Sequence, residues 1–170
     1  MRWIRPTADR HVYELRAGDA LLAQLAWPGG AGSLAHASIA GAELSLKRGG
    51  FLQPHVTLRD AGGHDLARLS MHLHHGTVLL ASGRSFLFRR AGMLVPAWQV
   101  SDPAGRLLVH LEPVAERGRL QGGLVQVEPT FVRDPALADL VLLAWYFIHL
   151  AWFEDEALHA SESILSAASG

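Results

Sequence analysis

Cysteine is absent from this 170-residue chain, which excludes disulfides, thiolate nucleophiles and cysteine-ligated metal centres. Charge is also scarce, because 18% of the residues are charged and 49% are apolar, a balance typical of a globular protein. The net charge is −1 and the isoelectric point lies near 6.8, so no global basic field would attract nucleic acid. An anion-binding site in this protein must therefore be local.

The sequence also lacks the short motifs of common enzymes. It has no phosphate-binding glycine loop, no G-x-S-x-G elbow and no H-E-x-x-H. Its first residues, MRWIRPTADRHVYEL, are charged and contain no apolar run followed by a cleavage site. We therefore expect a single domain over residues 1–170 that is non-enzymatic, needs no cofactor and lies in the cytoplasm.

Long apolar runs are rare, with one exception near the C-terminus. Over residues 135–153 only Asp139 and His149 interrupt the apolar character, and no polar stripe is present. Asp134 can cap the first free N–H groups, and Pro135 suits the first helical position. The pattern predicts a helix about 28 Å long at ~1.5 Å per residue. A helix that is apolar all round must be enclosed by protein or by lipid.

Either a protein core or a bilayer would enclose this helix. A membrane span needs roughly 20 apolar residues, whereas Asp139 and His149 leave nine uninterrupted ones, from Leu140 to Ile148. The residues that follow are acidic rather than basic, at 154–156. We favour a helix in the protein core. The alternative is a tail-anchored membrane protein that uses the same segment.

Upstream of the helix, short runs of alternating apolar residues are separated by glycine, proline and aspartate turns. This pattern predicts eleven strands. They are His11–Arg16, Ala20–Trp27, Leu34–Ala40, Glu43–Arg48, Phe51–Arg59, His64–Leu73, Thr77–Ser82, Ser85–Arg90, Leu94–Ser101, Arg106–Glu112 and Leu120–Val127.

A repeat runs through the middle of these strands. A shift of 42 residues aligns Gly41–Leu69 with Gly83–Leu111 without a gap, and nine of the 29 positions are identical. About two identities would be expected from ordinary composition. Many matches fall at turns, and both copies place an aspartate three residues before a glycine, as in a hairpin. The two copies therefore form a tandem structural unit.

The two copies also share one register of alternation, so each strand has an apolar face and a largely polar face. A one-sided sheet of this size needs something to cover its apolar side. A propeller would need about four to eight blades, and only two clear copies exist. We therefore predict a mainly β fold, a closed antiparallel barrel of about 11–12 strands around the helix 135–153, with a short tail over 157–170.

The repeated D-x-x-G hairpins at Val56–Leu69 and Trp98–Leu111, followed by the hydrophobic helix from Asp134 to Phe153, resemble the tubby C-terminal-like superfamily. That group includes tubby proteins, phospholipid scramblases and the plant LURP-one-related proteins. The resemblance is one of architecture and covers residues 10–155. It implies a twelve-stranded barrel around a central helix and, for tubby members, phosphoinositide binding through basic side chains. No tubby lipid-binding motif maps onto this sequence residue by residue.

Two basic pairs are the main candidates for a ligand-binding site: Lys47 with Arg48, and Arg89 with Arg90. If the repeats lay side by side, the four cations could converge on a phosphate or an acidic headgroup. Alternation places Lys47 and Arg89 outward, and Arg48 and Arg90 inward at the rim. The alternative is that they only keep strand ends soluble. The expected ligand is an anionic phospholipid, bound at the membrane periphery, or a protein partner.

His72 and His74 project from one face of a predicted strand, a spacing that can chelate zinc or iron. A catalytic metal site needs a third ligand and a general base, and no acidic residue follows nearby. The register places both histidines on the solvent side with Arg68 and Ser70. A metal-dependent β-barrel enzyme that uses this face is the alternative function, and we predict no metal site.

The remaining polar side chains of the helix have structural predictions. We expect His149 to donate a hydrogen bond to a backbone carbonyl, because buried polar groups are normally paired. We expect one hydrogen-bond partner for Tyr146, and we expect Asp139 to be a polar end group near the barrel mouth. The large aromatic side chains should fill the barrel: Trp145, Phe147, Trp152 and Phe153.

Overall fold

The computed structural model describes residues 1–7, 11–29, 32–50, 54–72, 75–92 and 96–168, and side chains as far as Glu154. Within these residues the chain forms twelve strands, a short 3-10 turn at Pro129–Phe131 and a helix, α1, over Ala136–Ala168. The strands are β1 (Arg2–Ile4), β2 (Val12–Ala17), β3 (Ala20–Ala26), β4 (Leu34–Ile39), β5 (Ala42–Gly49), β6 (His55–Asp60), β7 (Asp65–His72), β8 (His75–Leu80), β9 (Ser85–Ala91), β10 (Ala97–Ser101), β11 (Leu107–Glu116) and β12 (Arg119–Val127).

The strands close into one antiparallel barrel. Each strand pairs with its neighbours in sequence, and β1 pairs with β12 to complete the ring. The predicted mainly β fold with a closed barrel and one apolar helix is therefore confirmed. Sequence analysis missed β1, because a strand of three residues is too short to show an alternating pattern.

The bounds of the helix differ from the prediction at both ends. Helix α1 begins at Ala136 rather than at Pro135, and it ends at Ala168 rather than at Phe153. The prediction ended it where the apolar run stops. However, the sequence from 154 to 168 contains neither glycine nor proline, so nothing there breaks the helical backbone. Most of the predicted tail, residues 157–168, is therefore helical.

The first half of α1 lies inside the barrel. Every side chain from Leu140 to Tyr146 is buried, and Trp145 and Tyr146 are both 0% exposed. Exposure then rises, and Glu154 is exposed. The segment Ala136–Glu154 is long and apolar enough to cross a membrane, and 56% of its most apolar 18-residue stretch is buried within the protein. The helix is therefore a partly buried core helix.

A salt bridge and a cap fix the start of α1. The carboxylate of Asp134 accepts the backbone N–H of Ala136 at 2.9 Å, as the sequence predicts. It also accepts two hydrogen bonds from the Arg84 guanidinium, at 2.8 and 2.9 Å. The Arg84 guanidinium holds the pKa of the Asp134 carboxyl below its usual range. The β8–β9 hairpin is thereby joined to the beginning of the helix.

The tandem repeat superposes β5, β6 and β7 on β9, β10 and β11. In the first copy Asp60 accepts the backbone N–H of His64 at 2.9 Å, and in the second Asp102 accepts that of Arg106 at 2.9 Å. The glycine of each hairpin has a positive φ, 84° and 86°, which side chains disfavour. The identical residues of the repeat are therefore those that the turns require.

The barrel has two different ends. One end, called here the hairpin end, carries the β2–β3, β4–β5, β6–β7, β8–β9 and β10–β11 turns and the beginning of α1. The opposite end, the exit rim, is where α1 leaves the barrel: the indole of Trp152 there donates to the carbonyl of Gly118 at 2.8 Å. The C-terminal ends of β5, β7 and β9 and the first residues of β6 and β8 lie at this rim.

Trp145 packs against the barrel wall beside Gly123, a position where only glycine fits. Its indole stacks on Trp3 with ring centroids 5.4 Å apart. Gly123 is paired with Trp3 across β1 and β12. A Cβ atom at Gly123 would lie 2.8 Å from the Trp145 ring and 2.7 Å from the Glu112 carbonyl. Glycine at this position thus lets the helix approach the strand.

We expect Gly123→Ala to lower the free energy of unfolding by about 1–3 kcal/mol, because the added methyl group overpacks the contact with Trp145. Chemical denaturation followed by tryptophan fluorescence measures this loss. Gly29→Ala is the matched control, since a Cβ atom there meets nothing within 4 Å. Equal stability of the two variants would contradict this account of the helix packing.

Candidate ligand-binding site at the exit rim

Helix α1 positions Arg48 through the buried hydroxyl of Tyr146. The backbone N–H of Arg48 donates to the Tyr146 hydroxyl at 3.0 Å and to the Ser33 carbonyl at 3.1 Å. The Tyr146 hydroxyl in turn donates to the same Ser33 carbonyl. Tyr146 therefore has two partners, one more than predicted. The end of β5 is held to the core helix at this point.

Burial raises the pKa of Tyr146 to about 12. The folded protein thus binds this proton more tightly than the unfolded chain does, whose tyrosine pKa is about 10. Its contribution to stability is complete below about pH 10 and is lost as the pH rises through 12.

Replacement of Tyr146 by Phe should lower the free energy of unfolding by about 1 kcal/mol at pH 7, because it removes the hydroxyl and with it two hydrogen bonds. The variant should also lose less stability than the parent protein between about pH 10 and 12. Denaturation curves across this range test both effects. An unchanged alkaline loss would show that another group is responsible.

A cleft of about 420 Å³ opens beside α1 at the exit rim. This volume falls within the range of roughly 300–1,000 Å³ typical of small-molecule sites. Its floor is apolar and comes from Pro54, Val56, Met71, Phe147, Leu150 and Ala151. Its polar lining consists of Arg48, His55, His72 and Glu154. The cleft therefore combines an apolar floor with a polar lining that includes an arginine and a glutamate.

Arg48 meets a carboxylate at the mouth of this cleft. Its guanidinium forms an ion pair with Glu154, which lies on α1 just beyond the barrel wall. The two side chains are 36% and 56% exposed, so solvent screens the pair. The contact joins the end of β5 to the emerging helix.

A basic rim band continues from this cleft around the barrel. Each of the five neighbouring strands β5 to β9 places a basic or imidazole side chain at the exit rim. Its members are Lys47, Arg48, His55, His72, His75, Arg89 and Arg90. His72 pairs with His75 across β7 and β8, and His75 pairs with Arg89 across β8 and β9. The band is therefore continuous across β7, β8 and β9, and Arg48, His55 and His72 line one cleft at its other end.

The structure does not place the two predicted basic pairs side by side. Strands β6, β7 and β8 lie between β5 and β9, a separation of about 19 Å at ~4.8 Å per strand. The condition under which the four cations could converge on one phosphate is therefore not met. The histidines of the intervening strands connect the two pairs instead.

The predicted directions of the four cations agree with the register. Lys47 and Arg89 are exposed on the outer wall, and the Arg89 guanidinium donates to the Gln99 side chain at 3.0 Å. Arg48 lines the cleft described above. Arg90 lines a smaller one, of about 40 Å³, on the other side of α1 beside Trp152. The helix thus leaves the barrel between the two inward arginines.

Sequence reasoning missed His55 and His75 as members of the band, although a signal for it exists. Residues 66–101 contain no aspartate or glutamate, and neither do residues 44–59. Such an absence shows that a wall is free of negative charge, but it does not show which strand ends share a rim. In the described part of the chain, the carboxylate that contacts this band is Glu154.

The proposed metal face has little support from the geometry. His72 is exposed, as the register predicts, and its ring lies 6.3 Å from that of His75. His74 lies outside the described residues. Among the residues that the structure describes, no group of three histidine, aspartate or glutamate side chains is placed to hold a metal ion.

His149 does not make the predicted hydrogen bond. Its ring is 1% exposed, and neither ring nitrogen has a partner among the described residues. Instead the ring stacks on Trp27 with centroids 3.8 Å apart and meets the edge of Tyr13 at 5.3 Å. Burial lowers the pKa of His149 to about 3, and His11 acts in the same direction. The prediction failed because aromatic rings surround this side chain where it was expected to reach a carbonyl.

We expect His149→Phe to raise the free energy of unfolding at pH 7, by about 1–2 kcal/mol, because it removes unpaired polar atoms and keeps the stacking. The pKa of His149 in the folded protein lies below its value of about 6.5 in the unfolded chain, so the free energy of unfolding decreases as the pH falls. That loss is about 1.4 kcal/mol per pH unit between 6.5 and 3. Denaturation at several pH values should show a shallower acid loss in the variant.

His36→Gln is the control for this experiment, since His36 is exposed on β4. It should leave both the stability at pH 7 and the acid loss unchanged. A destabilised His149→Phe protein would show that the imidazole has a polar partner that the phenyl ring cannot replace.

Of the aromatic side chains predicted to fill the barrel, Trp145 is buried, whereas Phe147, Trp152 and Phe153 are only partly buried. Phe147 packs on Trp98 and Phe88, with centroids 5.2 and 5.7 Å away. Phe153 lies 5.3 Å from His11. Asp139 is half-buried in the first turn of α1 at the hairpin end, and burial raises its pKa.

Comparison of the chain with protein-family models, with curated protein sequences and with solved structures finds no match. The chemistry of the exit rim is therefore the guide to function. Lysine and arginine side chains beside an apolar cleft suit a ligand that has an anionic part and a hydrocarbon part.

Proposed function

We propose that this protein is a non-enzymatic binding domain that binds anionic phospholipid headgroups with its exit rim. The observation that carries this proposal is the continuous basic rim band on β5 to β9, which borders an apolar cleft. An anionic membrane surface attracts basic side chains with about 1 kcal/mol each. Such a domain would act in the cytoplasm as a peripheral membrane protein.

We further propose that the chain belongs to the tubby C-terminal-like class, because its architecture resembles that class. Twelve antiparallel strands close around a C-terminal apolar helix, and the tandem hairpins repeat with the same Asp and Gly positions. A shared fold does not by itself carry a shared ligand. The lipid proposal therefore rests on the charges of the rim rather than on the resemblance in fold.

Lys47 and Arg89 are the members of the band best suited to meet a flat surface. Both are exposed on the outer wall. Neither forms an ion pair with a carboxylate in the described part of the chain. No carboxylate of the described residues neutralises their charge, so it is available to phosphate groups.

Co-sedimentation with vesicles tests the proposal. Vesicles of phosphatidylcholine that contain phosphatidylserine or a phosphoinositide should bind the protein, and pure phosphatidylcholine should not. The double variant Lys47→Glu with Arg89→Glu should reduce the affinity by at least about tenfold, since two attractive charges become repulsive. Added salt should weaken binding by the parent protein as well.

The matched control reverses two exposed arginines that lie away from the exit rim, Arg2→Glu with Arg133→Glu. It changes the net charge by the same amount and should retain most of the binding. Equal loss in both variants would show that only net charge matters. No binding to any anionic vesicle would refute the proposed function.

A further inference from the structure

Glu154 places a carboxylate beside Arg48 at the exit rim. Its carboxylate pairs with the guanidinium of Arg48, and both side chains line the mouth of the cleft. The sequence provides no acidic residue on the wall around it, over residues 44–59 and 66–101. The carboxylate that meets Arg48 therefore comes from the helix and not from the sheet.

The two partners of this ion pair are held very differently. Arg48 belongs to a paired strand, and its backbone N–H is bonded to Tyr146 and Ser33. Glu154 lies beyond the buried part of α1, and its side chain is 56% exposed. The backbone of Arg48 is thus fixed at the site, whereas the Glu154 carboxylate can turn into solvent without the loss of a core contact.

Behind the ion pair the cleft is suited to hydrocarbon. Val56 and Met71 are buried residues of the wall, and Phe147 and Leu150 face them from the helix. A ligand whose anionic head replaced Glu154 at Arg48 would place its chain against these side chains. Charge complementarity and the apolar floor together define the occupant.

From this geometry we propose that the cleft binds one amphiphile with a single anionic head, a carboxylate or a phosphate monoester, and that Glu154 competes with the head for Arg48. This inference rests on the proposed function, because it names the ligand class of the same rim. It goes further in assigning a cleft for the chain and an internal competitor for the head. A membrane lipid and a free fatty acid share this chemistry.

Calorimetric titration with dodecanoate, dodecyl phosphate and uncharged dodecanol tests the inference. Dodecanoate and dodecyl phosphate should bind more tightly than dodecanol. Glu154→Gln should raise the affinity for both anions by roughly two- to fivefold, the factor expected when an exposed competing ion pair is lost, and should leave dodecanol unchanged. Glu43→Gln, an exposed glutamate at the hairpin end, is the matched control and should change nothing.

The charge-swapped protein, Arg48→Glu with Glu154→Arg, gives a second test that keeps an ion pair at the rim. It should lose affinity for dodecanoate and should bind dodecylammonium in its place. If the swap leaves the preference for dodecanoate unchanged, Arg48 is not the headgroup ligand and the inference is overturned.

The outcomes separate this inference from the proposed function. Vesicle binding that requires Lys47 and Arg89, together with no effect of Glu154→Gln on either anion, would overturn the competitor and leave the membrane surface proposal intact. Dodecanoate binding that strengthens in Glu154→Gln, without binding to anionic vesicles, would identify a free amphiphile as the source of the ligand. Absence of binding to all three amphiphiles would overturn the assigned cleft.

Discussion

Helix α1 and the sheet each carry apolar surface that water would penalise, and each covers the other. Burial of one large apolar side chain stabilises a fold by about 1.5–3 kcal/mol, and the inner wall and the helix contribute dozens of such groups to one cluster. Closure of the ring by β1 and β12 also removes the free strand edges that would otherwise pair with other chains. The stack of Trp145 on Trp3 beside Gly123 shows how close the two elements come.

The same helix that fills the barrel also creates the candidate site. Where α1 emerges it no longer fills the lumen, and clefts open on either side of it, one bordered by Arg48 and the other by Arg90. The hydroxyl of Tyr146 connects the buried helix directly to the backbone of Arg48. The position of the basic side chain thus depends on the packing of the core, so core and site are coupled through two hydrogen bonds.

The interior also retains polar atoms that the packing does not pair. Both ring nitrogens of His149 and the indole nitrogens of Trp3, Trp27 and Trp145 are without partners among the described residues. Each such group costs stability relative to a paired one. Aromatic stacking around His149 offsets part of this cost, and burial lowers the pKa of the imidazole.

Local rules in the sequence determined the strands other than β1, the hairpins, the faces and the existence of the core helix, because alternation, D-x-x-G turns and a long apolar run are each read within a few residues. They also determined that Lys47 and Arg89 point outward and that Arg48 and Arg90 point inward. Only the tertiary structure decided which strand ends share the exit rim, that three strands separate the basic pairs, and that Glu154 reaches Arg48. These features depend on ring closure and on the depth of α1 in the barrel, which bring together residues about a hundred positions apart, and no local pattern records such distances.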